Sequence, residues 1–174
     1  MEVLKTDRLI IKTFAKNDFR NFLSLNQDSE LMRYFDDGVK PIDKLRERFN
    51  EIVAHQEKNG FSYYNLFLKD TEEYIGQAGC YYNFDMTTNV CYGLLKKFHK
   101  QGYMTEALVG ILKYSFDKFH FKDVFIRSAV ENKDSIRVAE KLGGVLFKKT
   151  TNIKGVDIVY YKIEREKFNK TFNI

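Results

Sequence analysis

Residues 93–116, GLLKKFHKQGYMTEALVGILKYSF, have the pattern of a phosphate-binding connection, in which a strand ends near Lys96 and an amphipathic helix begins just after Gly102. The first N–H groups of a helix lack intrahelical partners and lie at the positive end of its dipole, so they bind phosphate readily. Gly102 has no Cβ, which lets the backbone approach an anion closely or adopt a positive φ. Lysines add positive charge on the approach: Lys96, Lys97 and Lys100. By itself, the pattern also fits an ordinary glycine turn with a solvated basic flank.

A second stretch, VENKDSIRVAEKLGG (130–144), predicts a short helix with a polar first turn. Asn132 or Asp134 can cap its N-terminus, and Gly143 with Gly144 can close its C-terminus. Ser135 would then lie in the first turn. Alone, this pattern fits a capped helix that packs on a sheet, and it becomes informative only together with the glycine loop.

Composition limits the class of protein to which these stretches can belong. The chain has 174 residues, of which 44% are hydrophobic, and this fits one globular domain over residues 1–174 rather than a disordered chain. Cys80 and Cys91 with three histidines make neither a disulfide framework nor a zinc pattern, and both cysteines are interpreted as small apolar residues. We expect a cytoplasmic protein with no metal site, signal peptide or membrane span. The net charge of +5 fits an anionic cofactor or an acidic partner, whereas nucleic acid is disfavoured because the basic residues are interspersed with acids.

The elements that must position these stretches form a mixed α/β pattern (α+β), with helices before and after a mostly antiparallel sheet. Short polar turns at 70–73 and 85–88 indicate an antiparallel meander in the middle of the chain. Basic residues within 165–170 are interpreted as a solvated tail. About seven strands are predicted: 7–14, 61–69, 74–84, 89–96, 122–130, 144–151 and 156–165. The main helices are predicted near 42–58, 103–119 and 133–142, after two short ones within 19–35.

Two spaced motifs make a family resemblance specific. The segments H-K-Q-G-Y-M-T-E-A (99–107) and N-K-D-S-I-R-V-A-E-K-L-G (132–143) resemble the GNAT superfamily of acetyl-CoA-dependent N-acetyltransferases. They are most similar to its RimJ/RimL-like branch, which reads G-K-G-Y-A-T-E-A and then N-x-x-S-I-R-V-x-E-K-L-G-F. The opening T-D-R-L-I-I-K (6–12) also resembles that branch, so the likeness spans about residues 6–165.

The resemblance implies a binding site for acetyl-CoA in a splayed slot between the fourth and fifth predicted strands, 89–96 and 122–130. The glycine loop would hold the pyrophosphate with backbone amides: Lys100, Gln101, Gly102, Tyr103, Met104 and Thr105. The end of the fourth strand would pair with the pantetheine arm like an added strand: Leu94, Leu95 and Lys96. Asn132 would hydrogen-bond the cofactor arm, and Ser135 would lie near the thioester sulfur. Arg137 and Lys141 are either phosphate contacts or solvated helix charges.

In the mechanism that the resemblance implies, an amine attacks the thioester directly and no covalent enzyme intermediate forms. A backbone N–H such as that of Leu95 would hydrogen-bond the developing oxyanion. The Ser135 hydroxyl would protonate the leaving thiolate. Many superfamily members use a tyrosine of the last helix as the general acid, and this chain has Ala139 at that position.

The general base departs from the family pattern. The branch often reads A-E-I-G-Y, and its alignment with N-V-C-Y-G (89–93) sets Val90 at the glutamate position. Asp85 and Glu131 are near in sequence, but both are interpreted as residues of solvated turns. A chain of water molecules is the remaining route for deprotonating the amine.

The resemblance implies an acetyl-CoA-dependent N-acetyltransferase acting on a primary amine through a ternary complex. The amine would be a peptide α-amino group, with polyamines, aminoglycosides and other small amines open, and a homodimer is also open. Tyr34, Phe35 and Tyr82 are the candidate acceptor-site residues. Because the glutamate is missing, the alternative is an acyl-CoA-binding regulatory or sensor domain with weak or no transfer activity.

Overall fold

A single twisted sheet organises the chain, whose computed structural model describes residues 1–34, 38–83 and 85–174. Within these residues the sheet has eight strands in the spatial order β1-β2-β3-β4-β5-β6-β8-β7. In chain order they are β1 (Glu2–Lys5), β2 (Leu9–Thr13), β3 (Tyr63–Leu68), β4 (Tyr74–Tyr82), β5 (Thr88–Leu94), β6 (Asp123–Ala129), β7 (Val145–Thr151) and β8 (Asp157–Glu164). The predicted mixed α/β fold with a mostly antiparallel sheet is confirmed. The additional strand is β1, a short edge strand in which Val3 and Leu4 stand between two charged residues, too brief a pattern to predict.

The sheet opens between β5 and β6, which are the one parallel pair of neighbours among the strands of the described residues. These strands share a single paired position, Asn89 with Phe125, whereas β4 and β5 pair from Gly76–Leu94 through Tyr82–Thr88. Beyond Asn89 the two strands therefore diverge toward the end of β5. This is the splayed slot predicted between 89–96 and 122–130.

Helices cover the two faces of the sheet unequally. One face carries α4 (Tyr103–Phe119), α5 (Lys133–Lys141) and α6 (Arg165–Phe172), whose buried side chains belong to the main core. The other face carries α1 (Phe19–Asn26), α2 (Ser29–Met32) and α3 (Ile42–Asn59). A smaller core lies there, in which Phe22 and Phe49 pack together and Cys91 of β5 lies against them.

Side chains of β5 alternate between these two cores, as the period of a strand requires. Val90 and Leu94 belong to the core beneath α4, and Cys91 packs toward α1 and α3. Gly93 points the same way as Cys91, since a Cβ there would lie 3.2 Å from the Leu31 side chain of α2. The diverging strands are thus lined from both faces of the sheet.

The C-terminal segment is not the solvated tail that its charges predicted. Residues Arg165–Phe172 form α6, and Phe168 is fully buried with its ring centroid 5.4 Å from that of Phe116 in α4. Two aromatic residues four positions apart, Phe168 and Phe172, are too few among charged and polar neighbours to predict a buried face, yet burying Phe168 contributes about 1.5–3 kcal/mol. Among the described residues, no helix is long and apolar enough to cross a membrane.

Candidate active site

A cavity of about 630 Å³ lies where β5 and β6 part. On one face of the sheet it is bounded by the start of α4 and by α5, and on the other face by the end of α2 and by side chains of β4 and β5. The opening between the strands therefore joins two chambers, one beside a helix N-terminus and one beneath α2. Such a passage is open to both faces of the sheet. It suits a substrate whose anionic end lies at the helix N-terminus and whose reactive end lies between the parted strands.

The first chamber is built around the N-terminus of α4, as the glycine loop predicted. Gly102 caps α4 with a φ of +83°, in the left-handed region that favours glycine. It lines the cavity together with Lys100, Tyr103, Met104 and Thr105. The unpaired N–H groups of the first turn of α4 thus belong to the wall of the cavity, and they suit an anion such as phosphate.

Other residues of the predicted phosphate site lie outside the cavity wall. Gln101 uses its side-chain amide to donate a hydrogen bond to the Lys97 carbonyl at 2.8 Å, so it braces the loop from within. Lys96 forms an ion pair with Glu30 at 2.6 Å, and Lys97 pairs with Glu73. Of the three lysines on the approach, Lys100 is the one that lines the cavity.

The prediction for the Leu95 N–H is wrong. This group donates a hydrogen bond to the carbonyl of Ile75 at 2.9 Å, so it faces β4 rather than the slot. Since successive residues of a strand direct their N–H groups to opposite edges, that of Leu94 faces β6. His99, which lines the cavity, lies with Nε2 2.9 Å from the Leu94 carbonyl oxygen, on that same edge. Leu94, rather than Leu95, is therefore the residue at the end of β5 that offers a backbone donor to the slot.

At the other wall, Ser135 is held at the start of α5 and bonded to a tyrosine across the slot. Its backbone N–H donates to Oδ1 of Asn132, the cap of α5, at 3.1 Å. The Tyr92 hydroxyl of β5 lies 2.9 Å from Ser135 Oγ and 3.1 Å from its carbonyl oxygen. Burial raises the pKa of Tyr92 and outweighs the hydrogen bond with Ser135, so this phenol keeps its proton near neutral pH.

Tyr92 is not among the site residues assigned above from the sequence. A usable signal was present, because Tyr92 matches the tyrosine that ends the branch pattern A-E-I-G-Y. The same match moves the glutamate position from Val90 to Asn89. Asn89 lines the cavity but carries no carboxylate, and its amide nitrogen lies 3.4 Å from the Thr87 hydroxyl.

The second chamber contains one of the predicted acceptor residues. Tyr34 lines it, whereas Phe35 lies outside the described residues. Tyr82 is absent from the wall because its ring packs against Phe61, at 4.9 Å between centroids, on the opposite face of the sheet. Its neighbour Tyr81 points the other way and lines the chamber, as strand alternation requires. The assignment of Tyr82 to the acceptor site is therefore wrong.

Comparison with known proteins identifies this arrangement. Residues 8–145 match the family model described as an acetyltransferase (GNAT) domain. The chain belongs to the GNAT acetyltransferase family. Members of this family use acetyl-CoA.

Relatives of this GNAT acetyltransferase extend over nearly its whole length. "Uncharacterized N-acetyltransferase YnaD" of Bacillus subtilis (strain 168) is 27% identical, over 95% of this chain and 99% of its own length. Solved structures show the same fold at lower identity. RimL, a ribosomal L7/L12 α-N-protein acetyltransferase in complex with coenzyme A, has a TM-score of 0.81 at 15% identity, with 94% of this chain and 98% of RimL covered. Spermidine N-acetyltransferase of Vibrio cholerae, in complex with coenzyme A and spermine, has a TM-score of 0.78 at 20% identity, with 92% and 97% covered.

Carboxylates are scarce in the active-site cavity of this acetyltransferase. Among the described lining residues, the one carboxylate is that of Asp134 on α5, and it pairs with Arg137 at 3.1 Å. Asp85 lies in the predicted turn, where hydrogen bonds from the Thr87 hydroxyl and N–H lower its pKa. Neither Asp85 nor Glu131 belongs to the wall. Within the same described part of the chain, no group of three or more histidines, cysteines or acidic residues could hold a metal ion.

Proposed function

We propose that residues 1–174 act as one N-acetyltransferase domain, which moves the acetyl group of acetyl-CoA to a primary amine by direct attack in a ternary complex. The observation that carries this proposal is the passage between β5 and β6. It joins the N-terminus of α4 on one face with the chamber at Tyr34 and Tyr81 on the other. A nucleotide-bearing donor and an amine can thus meet at the parted strands without competing for one chamber.

The residues around the first chamber fit the phosphates and the arm of coenzyme A. Backbone N–H groups from Gly102 to Thr105 would hold the pyrophosphate, and Lys100 would add a positive charge. Arg137 and Lys141 of α5 also line the cavity and would meet the outer phosphate. The pantetheine arm would lie along the free edge of β5, where the Leu94 backbone and the Asn132 side chain offer polar partners.

Acyl transfer needs a hydrogen-bond donor for the developing oxyanion, a proton for the leaving sulfur and an unprotonated amine. The chain's own groups would supply the first two. The thioester supplies an activated acyl group, and negative charge develops on its carbonyl oxygen during attack. The Leu94 N–H is placed to donate a hydrogen bond to that oxygen. Ser135 would deliver a proton to the departing sulfur, and the Tyr92 hydroxyl would turn its own proton from the Ser135 carbonyl to Ser135 Oγ, 2.9 Å away. The attacking nitrogen would release its proton to water, and water would return one to the Tyr92 oxygen.

The third need, an unprotonated amine, favours an α-amino acceptor. With no free carboxylate among the described lining residues, the amine must lose its proton to water or arrive neutral. An α-amino group has a pKa of about 8, against about 10.4 for a lysine side chain, so far more of it is neutral near pH 7. We therefore propose a peptide α-amino group as the acceptor, in keeping with a RimJ/RimL-like branch. Polyamines, aminoglycosides and other small amines are the alternatives.

A thiol-release assay with acetyl-CoA and a panel of amines tests this proposal. The panel includes short peptides with different N-terminal residues, spermidine, an aminoglycoside and a peptide with an acetylated N-terminus and one internal lysine. We expect thiol release that depends on a free α-amino group, with the acetylated peptide identified by mass spectrometry. The missing carboxylate also fits an acyl-CoA sensor, which would bind coenzyme A tightly and release no thiol with any amine.

A further inference from the structure

The turn between β1 and β2 lies against the start of α4, although nearly 100 residues separate them. Glu106, in the first turn of α4, joins the two. Its carboxylate accepts hydrogen bonds from the Thr6 hydroxyl at 2.6 Å, the Arg8 backbone N–H at 2.8 Å and Arg8 Nε at 2.6 Å. The side chain of Arg8 is thereby fixed beside the glycine loop.

Arg8 also reaches the loop itself. Its Nη1 donates a hydrogen bond to the Gln101 carbonyl at 3.1 Å, and its guanidinium stacks on the Tyr103 ring at 4.4 Å. In a planar trans peptide the C=O and the following N–H point in opposite directions. Because the Gln101 carbonyl points to Arg8, the Gly102 N–H points away from Arg8. Gly102 lines the cavity and Arg8 does not, which is compatible with an N–H on the cavity side of the loop.

The loop needs such a constraint because its backbone is strained. Lys100 has a φ of +60° and Gly102 a φ of +83°, so two left-handed residues flank Gln101. A non-glycine residue pays about 1–2 kcal/mol for that conformation. The bond from the Gln101 side chain to the Lys97 carbonyl holds one end of this segment, and Arg8 holds the Gln101 carbonyl.

The charge of Glu106 gives Arg8 a second role at the loop. Glu106 is ionised, because burial opposes its charge less than the bonds from Thr6 and Arg8 favour it, and its pKa is lowered. An unpaired carboxylate in the first turn of α4 would repel a phosphate at that helix N-terminus. Arg8 cancels this charge through the ion pair at 2.6 Å.

We infer that Arg8 is a positioning residue for the phosphate site, which orients the Gly102 amide and neutralises Glu106. The inference rests on the proposed function, since it requires that the loop bind the phosphates of coenzyme A. Thr6 and Arg8 of T-D-R (6–8) and Glu106 of T-E-A (105–107), distant in sequence, thus form one hydrogen-bonded cluster.

Calorimetric titration of coenzyme A into the wild-type chain and the variant Arg8→Lys tests the inference. Lysine keeps the charge and can pair with Glu106, but its single ammonium cannot also hold the Gln101 carbonyl with the geometry of a guanidinium fork. We expect Arg8→Lys to bind coenzyme A about 10-fold more weakly, the loss typical of one hydrogen bond to a charged group. The matched control is Arg46→Lys, because Arg46 also stacks on an aromatic ring, that of Phe19 at 4.0 Å, and lies outside the cavity wall.

Thermal unfolding of the three proteins separates positioning from general stability. We expect the Tm of Arg8→Lys to stay within about 3 °C of wild type, a change below about 1 kcal/mol for a chain of this size. Equal affinity of Arg8→Lys and wild type would overturn the inference. So would weaker binding accompanied by a larger fall in Tm, since Arg8 would then act through folding. If wild type itself fails to bind coenzyme A, the proposed function fails first.

Discussion

The Tyr92→Phe variant examines the proposed proton source most closely. The substitution keeps the ring that fills the slot beside β5 and removes one oxygen, so the packing of the strand is preserved. What is lost is the pair of contacts to Ser135, at 2.9 Å to Oγ and 3.1 Å to the carbonyl oxygen. Ser135 Oγ then has no phenol from which to recover a proton.

The substitution should have a small effect on stability and a large effect on kcat. A net contribution of about 0.5–1.5 kcal/mol for each of the two hydrogen bonds gives a stability loss of about 1–3 kcal/mol. For a chain of this length, that loss lowers Tm by roughly 2–12 °C. A proton source contributes about 100-fold or more to the rate, so kcat should fall by about that factor. KM for acetyl-CoA should change little, because Tyr92 contributes its hydroxyl to Ser135 rather than to the phosphate loop.

The assay compares Tyr92→Phe with Ser135→Ala, the double variant and Tyr64→Phe. Tyr64 is the matched control, because it is a buried tyrosine of the same sheet whose hydroxyl has no hydrogen-bond partner among the described residues. We expect Tyr64→Phe to leave kcat and Tm nearly unchanged. If Tyr92 and Ser135 act together, the double variant is no slower than the worse single one. A kcat of Tyr92→Phe within twofold of wild type would refute the reasoning.

Three further predictions concern binding and stability. Gly102→Val should weaken coenzyme A binding at least about 10-fold, because φ is +83° at this position and valine disfavours that conformation. Gly155→Val is the control: φ is +77° there, in an open turn, so the substitution should strain the chain but leave the calorimetric affinity for coenzyme A unchanged. Phe168→Ala should lower the unfolding free energy, measured by urea denaturation, by about 3–5 kcal/mol. A loss below about 1 kcal/mol would show that the C-terminal segment is a solvated tail after all. Burial raises the pKa of Tyr64, and that of the Cys80 thiol to about 12, so both stay neutral when folded. The unfolded chain ionises them above about pH 8.5–10, so their contribution to the unfolding free energy should be constant below that range and fall above it, and a constant urea midpoint from pH 8 up to pH 11 would contradict this.

The helix and loop of the proposed phosphate site were predictable from sequence because local rules determine them. Gly102 marks the start of α4, the apolar spacing continues to Phe119, and the helix runs over Tyr103–Phe119 as predicted. The Asn132 cap of α5 follows from the same kind of local chemistry. In both cases, residues within four positions of the helix start are enough to predict where the helix begins.

Long-range register was not predictable in this way. The direction of the Leu95 N–H depends on how β5 pairs with β4, where Gly76 lies opposite Leu94, and no local pattern fixes that pairing. The distinction between Tyr81 and Tyr82 depends on the phase of the same strand, since a shift by one residue exchanges the two faces. The contacts of Arg8 with Glu106 cross 98 positions and could not be read from spacing. The family could therefore be recognised from sequence, whereas the donors and walls of its active site required the fold.

The account's central claim is that this chain transfers acetyl groups rather than only binding their carrier. The most direct test is thiol release from acetyl-CoA over the amine panel, with coenzyme A affinity measured on the same preparation. The account predicts release that requires a free α-amino group and that rises with pH as the amine loses its proton, toward a pKa near 8. Tight binding of coenzyme A with no thiol release for any amine between pH 6 and about 9 would contradict it and identify an acyl-CoA sensor.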